Sequence, residues 1–326
     1  MADTATGVSA LELPAGSIAF MLSGQGSQKP GMGADLMGVP EVARAFETAS
    51  KAFGFDVADV VCDDDPTRIN DTRFAQPALC ALSVGIAHAL KARGVEPAAV
   101  LGFSLGQIGA LAVAGMLSDE ETFALVRRRT DLMAEAADKH PGAMSALLKG
   151  TDEEVEELCE RCAEGQVLVP ANYNSPGQVV ISGELAAIAR AEEEWTAMGK
   201  RVSRLKTSGA FHSPLMAEAA EGLAEYMEGV SFSEPRIPLI CNVDAAPLTS
   251  SSAREHLVLQ MTHPVRFVQC VRALADAGAS TFIEVGFGGV LMNLVKRIDK
   301  ELGRECVQNE SSFNACVETH GAAGRE

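Results

Sequence analysis

Short apolar runs alternate with longer amphipathic stretches along this chain. Residues 17–22 (Ser-Ile-Ala-Phe-Met-Leu) form a run of strand length that breaks into Ser23-Gly24-Gln25-Gly26-Ser27-Gln28, the pattern of a buried strand ending in a glycine-rich turn. Helical spacing follows over 41–53 and 77–93, with the polar stretch Asp63-Asp64-Asp65-Pro66 between them as a loop. A second apolar run, 98–101, feeds Gly102-Phe103-Ser104-Leu105-Gly106 and then a helix-like stretch over 107–114. Ser118 and Glu121 have the spacing of a capping box and open a helix that runs to about residue 137. His140-Pro141-Gly142 breaks the chain. Beyond it the pattern changes: strand 143–148, helix 152–162, strands 166–173 and 178–182, helix 184–198, strand 201–205. That β-α-β-β-α-β order predicts a compact split unit. A strand at 238–242, a helix at 264–277, a strand at 281–285 and a helix from about 290 to 302 complete the pattern.

Composition narrows the class. The chain has 326 residues, is 47% hydrophobic and 22% charged, and has a formal net charge of −17 with a pI near 4.8. So acidic a chain lacks the basic footprint that nucleic acid requires. No run reaches the roughly 18 apolar residues that suggest a membrane span. The first 16 residues read as a loose leader; they lack a charged start followed by an apolar core, so a cytoplasmic protein without a secretory signal is expected. The eight cysteines are scattered, and only Cys159 and Cys162 are close in sequence. Neither a second pair nor neighbouring histidines accompany them, so reduced thiols and no metal or cofactor are expected.

Chemistry concentrates at four places. Gly102-Phe103-Ser104-Leu105-Gly106 is a Gly-x-Ser-x-Gly turn between a strand and a helix, the context of a nucleophile elbow. A serine hydroxyl needs a base to take its proton. Of the six histidines, His212 is best placed, on a loop before a proline-started helix. The loop at residues 24–28 has two readings: a plain tight turn, or a backbone donor that joins the Leu105 N–H in an oxyanion hole. On the helix opened by Ser118, Leu125, Val126, Leu132, Met133 and Ala136 make one apolar stripe, and Arg129 falls inside it. A guanidinium there needs a fixed anion, either a protein carboxylate or a substrate. No acidic residue between Ser104 and His212 stands out as a third triad member, which suggests a dyad oriented by a backbone carbonyl.

Together these residues resemble the malonyl-CoA:acyl carrier protein transacylases of fatty-acid synthesis and the acyltransferase domains of polyketide synthases. The likeness covers roughly residues 17–302. The family's Gly-Gln-Gly-Ser-Gln loop is residues 24–28 here, and its Gly-His-Ser-Leu-Gly-Glu elbow corresponds to residues 102–107. Arg129 with Met133, Ala210-Phe211-His212, the Asn-x-Asn-Ser-Pro-Gly-Gln-Val-Val stretch at 172–180, and Glu284-Val285-Gly286 also match. Phe103 and Gln107 depart from the family's histidine and glutamate.

The resemblance agrees with the fold read from the pattern: a large α/β-hydrolase-like domain with a mostly parallel sheet (17–138 and 208–302), a small inserted ferredoxin-like α+β domain (139–207) and a flexible tail (303–326). It implies a ping-pong reaction in which Ser104 takes malonyl from coenzyme A and the thiol of holo-acyl carrier protein removes it. His212 acts as base and acid, the N–H groups of Gln25 and Leu105 hold the oxyanion, and Arg129 clamps the malonyl carboxylate. Phe103, Met133, Asn172 and Phe211 line the pocket, and the carbonyl of Arg266 orients the histidine. The acidic carrier is expected to meet two basic runs: Lys200, Arg201, Arg204 and Lys206, and then Lys296 and Arg297. A monomer is expected. The alternatives are a serine acyl hydrolase, an acyltransferase for acetyl or a branched malonyl group (as in polyketide synthesis), and a binding protein that has lost catalysis; Arg129 speaks against the hydrolase and against acetyl, Phe211 by analogy against branching, and the intact Ser104–His212 pair against the last.

Overall fold

A computed structural model describes residues 11–63 and 66–322. Residues 1–10 of the expected leader, Asp64 and Asp65 of the expected loop, and residues 323–326 lie outside it. The strands are β1 (Ser17–Leu22), β2 (Ala99–Gly102), β3 (Gly142–Leu148), β4 (Leu168–Ser175), β5 (Gln178–Glu184), β6 (Arg201–Arg204), β7 (Leu239–Ile240), β8 (Ala279–Val285) and β9 (Gly303–Val307). They form two sheets. One has five parallel strands in the order β7-β2-β1-β8-β9. Its central strand β1 is apolar because helices cover both faces: Phe20 and Leu22 point into one core, Ala19 and Met21 into the other. The other sheet is antiparallel with four strands in the order β4-β5-β3-β6. The helices Asp152–Ala163 and Leu185–Ala197 connect its strands and close a third core around the fully buried Trp195.

The antiparallel sheet is joined to the rest of the molecule along β4. Asn172 bridges to Val265, where the Tyr173 N–H donates to the Val265 carbonyl and the Val265 N–H to that of Ala171, both at 2.9 Å. Met144, Ala146, Ala171 and Val180 of the antiparallel sheet pack into the same core as β1 and β2.

Three expectations need correction. The tail is ordered: β9 pairs with β8, and the Glu310–His320 helix buries Phe313 and Cys316 in the main core. Its apolar residues are few, but they fall on one face, and Asn309 with Ser312 caps the helix. Part of the leader is held too, since the Leu13 N–H donates to the Ala277 carbonyl at 2.8 Å and Leu11 and Leu13 pack on the second core. The helix expected from Pro77 begins at Thr72 instead, capped by Asp71, and Pro77 lies inside it. Among the described residues no helix is long and apolar enough to cross a membrane.

Candidate active site

Strand β2 ends at Gly102, and the chain turns at once into the Leu105–Ala114 helix. Ser104 occupies the bend with φ 51° and ψ −102°, a conformation that costs a non-glycine residue about 1–3 kcal/mol. The turn closes because its flanks lack Cβ atoms. One on Gly102 would lie 1.9 Å from the Gly106 carbonyl carbon, and one on Gly106 would lie 2.1 Å from the Leu22 carbonyl oxygen. Asn242, just past β7, holds the bend from below: its Oδ1 accepts the Ser104 N–H at 2.8 Å and its Nδ2 donates to the Gly102 carbonyl at 2.7 Å. Gln107 in turn fixes Asn242, accepting its N–H at 2.7 Å.

Ser104 Oγ lies 2.7 Å from His212 Nε2, and His212 Nδ1 lies 2.7 Å from the Gln260 carbonyl. A carbonyl only accepts, so Nδ1 carries the proton and Nε2 offers its lone pair to the serine hydroxyl. The expected dyad geometry is present, but the orienting carbonyl belongs to Gln260 and not to Arg266. The Arg266 carbonyl already accepts the Cys270 N–H at 3.0 Å inside a helix, and the Arg266 guanidinium lies over Tyr173, 5.5 Å from the ring centre. Gln260 sits near the end of the Ala253–Thr262 helix, and its intrahelical partner four residues on would be Pro264, which has no N–H.

Arg129 is buried to 1% exposure and forms no ion pair among the described residues. Its Nη2 donates to Ser104 Oγ at 3.1 Å and to Gln260 Oε1 at 3.2 Å, its Nη1 donates to Gln76 Oε1 at 3.1 Å, and its Nε finds no acceptor. Neutral amides therefore position the guanidinium without neutralising it. Burial lowers the Arg129 guanidinium to about 10, which leaves it charged at neutral pH. Burial and the Arg129 charge together push the His212 imidazole down from 6.5 to about 4. The site thus combines a neutral base, a hydroxyl that donates to it, and a buried cation with spare donor capacity.

A cavity of about 410 Å³ opens over Ser104 between the two sheets. Gln25, Leu105, Phe103, Met133, Asn172 and Phe211 all line it. Leu105 begins its helix, so its N–H lacks an intrahelical acceptor. Phe103 packs edge-on against Phe267, ring centres 5.5 Å apart. Gln76 and Gln260, which hold Arg129, were not legible as site residues. Their signals are faint: Gln76 is a lone amide in an apolar helix beside Pro77, and Gln260 stands four residues before Pro264.

The basic runs are only partly brought together. Lys200 is turned inward, paired with Glu154 at 2.6 Å and lying 4.2 Å over the Trp195 ring, so it is removed from the expected docking set. Arg204 pairs with Glu192 at 2.6 Å yet still lines the cavity mouth with Lys206. Arg201, Lys206, Lys296 and Arg297 are exposed, and Arg297 donates to Gln178 on the cavity rim.

A serine on a strand-to-helix turn of a parallel sheet, facing an imidazole and a fixed cation, is the site of an enzyme that carries an acyl group on serine. Residues 19–314 match the family described as the acyl transferase domain. The malonyl CoA-acyl carrier protein transacylase of Bacillus subtilis (strain 168) is 36% identical over 306 residues, 93% of this chain and 96% of its own length. The solved malonyl-CoA:acyl carrier protein transacylase from Xanthomonas oryzae pv. oryzae is 39% identical, covers 95% of this chain and all (100%) of its own, and superposes with a TM-score of 0.91. A malonyl-transacylase solved in complex with its type II PKS acyl-carrier protein is 36% identical, with coverage of 93% and 99% and a TM-score of 0.90. The chain belongs to the malonyl-CoA:acyl carrier protein transacylase family.

Proposed function

We propose that this enzyme moves the malonyl group from malonyl-CoA to the phosphopantetheine thiol of holo-acyl carrier protein, by way of an ester on Ser104, and so supplies fatty-acid synthesis. The observation that carries the choice of acyl group is Arg129: a buried cation with no counter-ion among the described residues, 3.1 Å from the serine hydroxyl. A carboxylate two bonds beyond the reacting carbonyl supplies the missing charge, and a guanidinium fork suits it.

In this reading Ser104 Oγ attacks the thioester carbonyl as His212 Nε2 takes its proton. The N–H groups of Gln25 and Leu105 receive the developing oxyanion. The C–S bond breaks, and the imidazolium protonates the departing thiolate. The carrier thiol then reverses the sequence. Bound malonate also cancels the repulsion between Arg129 and the imidazole, raising His212 toward the working pH where a general base is most effective. No step calls for a metal or cofactor, and we place the enzyme in the cytoplasm as a monomer. Arg201, Lys206, Lys296 and Arg297 are the proposed landing for the acidic carrier.

Brief exposure to malonyl-CoA or to acetyl-CoA, each followed by intact-mass measurement, tests this. Malonyl adduct is expected on the parent protein and none on Ser104→Ala. Arg129→Ala is expected to lose its preference for malonyl over acetyl; a retained preference would remove the carboxylate clamp. Rapid loss of the adduct to water without carrier would favour a hydrolase.

A further inference from the structure

The turn that supplies Asn242 to the elbow carries a second cluster. Cys241 Sγ, an Asp244 carboxylate oxygen and a ring nitrogen of His256 all lie within 4.8 Å of one another. Cys241 and Asp244 have Cys-x-x-Asp spacing on a tight turn, with the Cys241 N–H bonded to the Ala246 carbonyl and the Ala245 N–H to the Cys241 carbonyl. His256 reaches in from the Ala253–Thr262 helix.

The imidazole of His256 decides how the cluster is read. Its Nδ1 is 2.9 Å from the Ser252 carbonyl, which can only accept, so Nδ1 carries the proton. Its Nε2 is 2.9 Å from Asp244 Oδ2, another acceptor. The Nε2 atom and the carboxylate oxygen thus face one shared point, as two ligand atoms of one cation do. With both nitrogens committed, His256 has none left to activate Cys241, so a second thiol nucleophile is not what this cluster builds. The Nδ1–carbonyl bond is instead the device that aims a ligating imidazole. The Val243 N–H points at Cys241 Sγ from 3.4 Å, a donor suited to a thiolate.

We propose that Cys241, Asp244 and His256 bind one Zn²⁺, or a similar borderline-soft divalent cation, with solvent completing a tetrahedral set. Ligand atoms around tetrahedral zinc sit about 3.5 Å apart, so side-chain adjustment alone closes the site. Cys241 forms its buried floor, and the exposed Asp244 is the entry side. The ion clips the Asn242 turn to the helix that carries Gln260. It therefore joins the two segments that hold Ser104 and His212, at a place outside the acyl cavity. The sequence reading expected no metal because the one close cysteine pair it weighed, Cys159 and Cys162, lacks further ligands; the present set joins a turn to the helix that follows it.

The test uses the full-length protein, chelator-stripped and kept reduced with a phosphine. After one equivalent of Zn²⁺ and desalting, elemental analysis is expected to find about one zinc per chain, and Tm to rise by about 3 °C. Co²⁺ in its place is expected to give a near-ultraviolet thiolate charge-transfer band. His256→Ala and Asp244→Asn, both at the accessible side, are each expected to cut retention at least tenfold, and Cys241→Ser to erase the band. No retained zinc, or equal retention in the parent and all three variants, overturns the site.

Discussion

At the residue scale, one charge organises the chemistry. Arg129 sits where a neutral side chain would pack, held by the amides of Gln76 and Gln260 rather than by a carboxylate. Its field acts on His212, whose imidazole is lowered to about 4 by burial and by that charge. The sign follows directly: a lowered imidazole stays neutral, and able to take the Ser104 proton, until pH falls to about 4. Single-turnover acylation by acetyl-CoA, which needs no carboxylate clamp, is expected to hold steady between pH 7 and pH 5. It should fade only below that range. Arg129→Ala removes the repulsion, so the acidic limb should move up toward 6.5, the ordinary value. A limb in the variant at or below that of the parent would show that the two groups are not coupled. Phe103 belongs to the same scale. It stands before the nucleophile where the family has a histidine, and its ring is occupied with Phe267. It adds no donor to the pocket, so recognition of the carboxylate falls on Arg129.

At the scale of elements, helix ends place the site. Ser104 precedes the first turn of one helix, and the end of another leaves the Gln260 carbonyl free to hold His212. The freedom comes from Pro264. Pro264→Ala lifts the block that ends this helix at Thr262 and, as the helix extends, offers that carbonyl an intrahelical N–H in competition with the imidazole. The loss of one hydrogen bond of about 1–1.5 kcal/mol corresponds to roughly tenfold in rate. Acylation by malonyl-CoA is expected to slow by about that factor with KM little changed; a change in KM alone would place the effect in binding instead. The same feature explains why the orienting carbonyl was misassigned. Arg266 follows the proline and is the N-cap of the next helix, where its carbonyl is already used.

At the scale of the whole molecule, the cleft lies between two sheets that are linked through β4 and the Val265 segment. The parallel sheet supplies the elbow and the first glycine loop, and the antiparallel sheet supplies the opposite wall with Met144, Ala146, Asn172 and Val180. The net charge of −17 repels an acidic carrier at long range, and the proposed landing on Arg201, Lys206, Lys296 and Arg297 is the local exception. Reversing Lys206, Lys296 and Arg297 to glutamate is expected to slow malonyl transfer to carrier protein about tenfold or more at low salt. Acylation by malonyl-CoA should change less than twofold. Equal loss in both half-reactions would place those residues in the chemistry, and no loss in either would remove them from docking. Lys200 is predicted to be silent in this assay because it is bound to Glu154 and Trp195.

The elbow, the glycine loop, the capped helix with Arg129 inside its apolar stripe, and the β-α-β-β-α-β order were all legible from local pattern. Each depends on residues a few positions apart, where strand and helix periodicity and turn stereochemistry act directly. Three matters were settled only by folding: which carbonyl meets His212, whether a carboxylate meets Arg129, and whether the last strand and helix dock. They are contacts between residues 25 to 131 positions apart (Ser104 to Arg129, Arg129 to Gln260) or between whole elements. Chain spacing says nothing about such distances. Only the packing of sheets and helices turns an arginine, two glutamines and a serine from remote parts of the chain into one buried set.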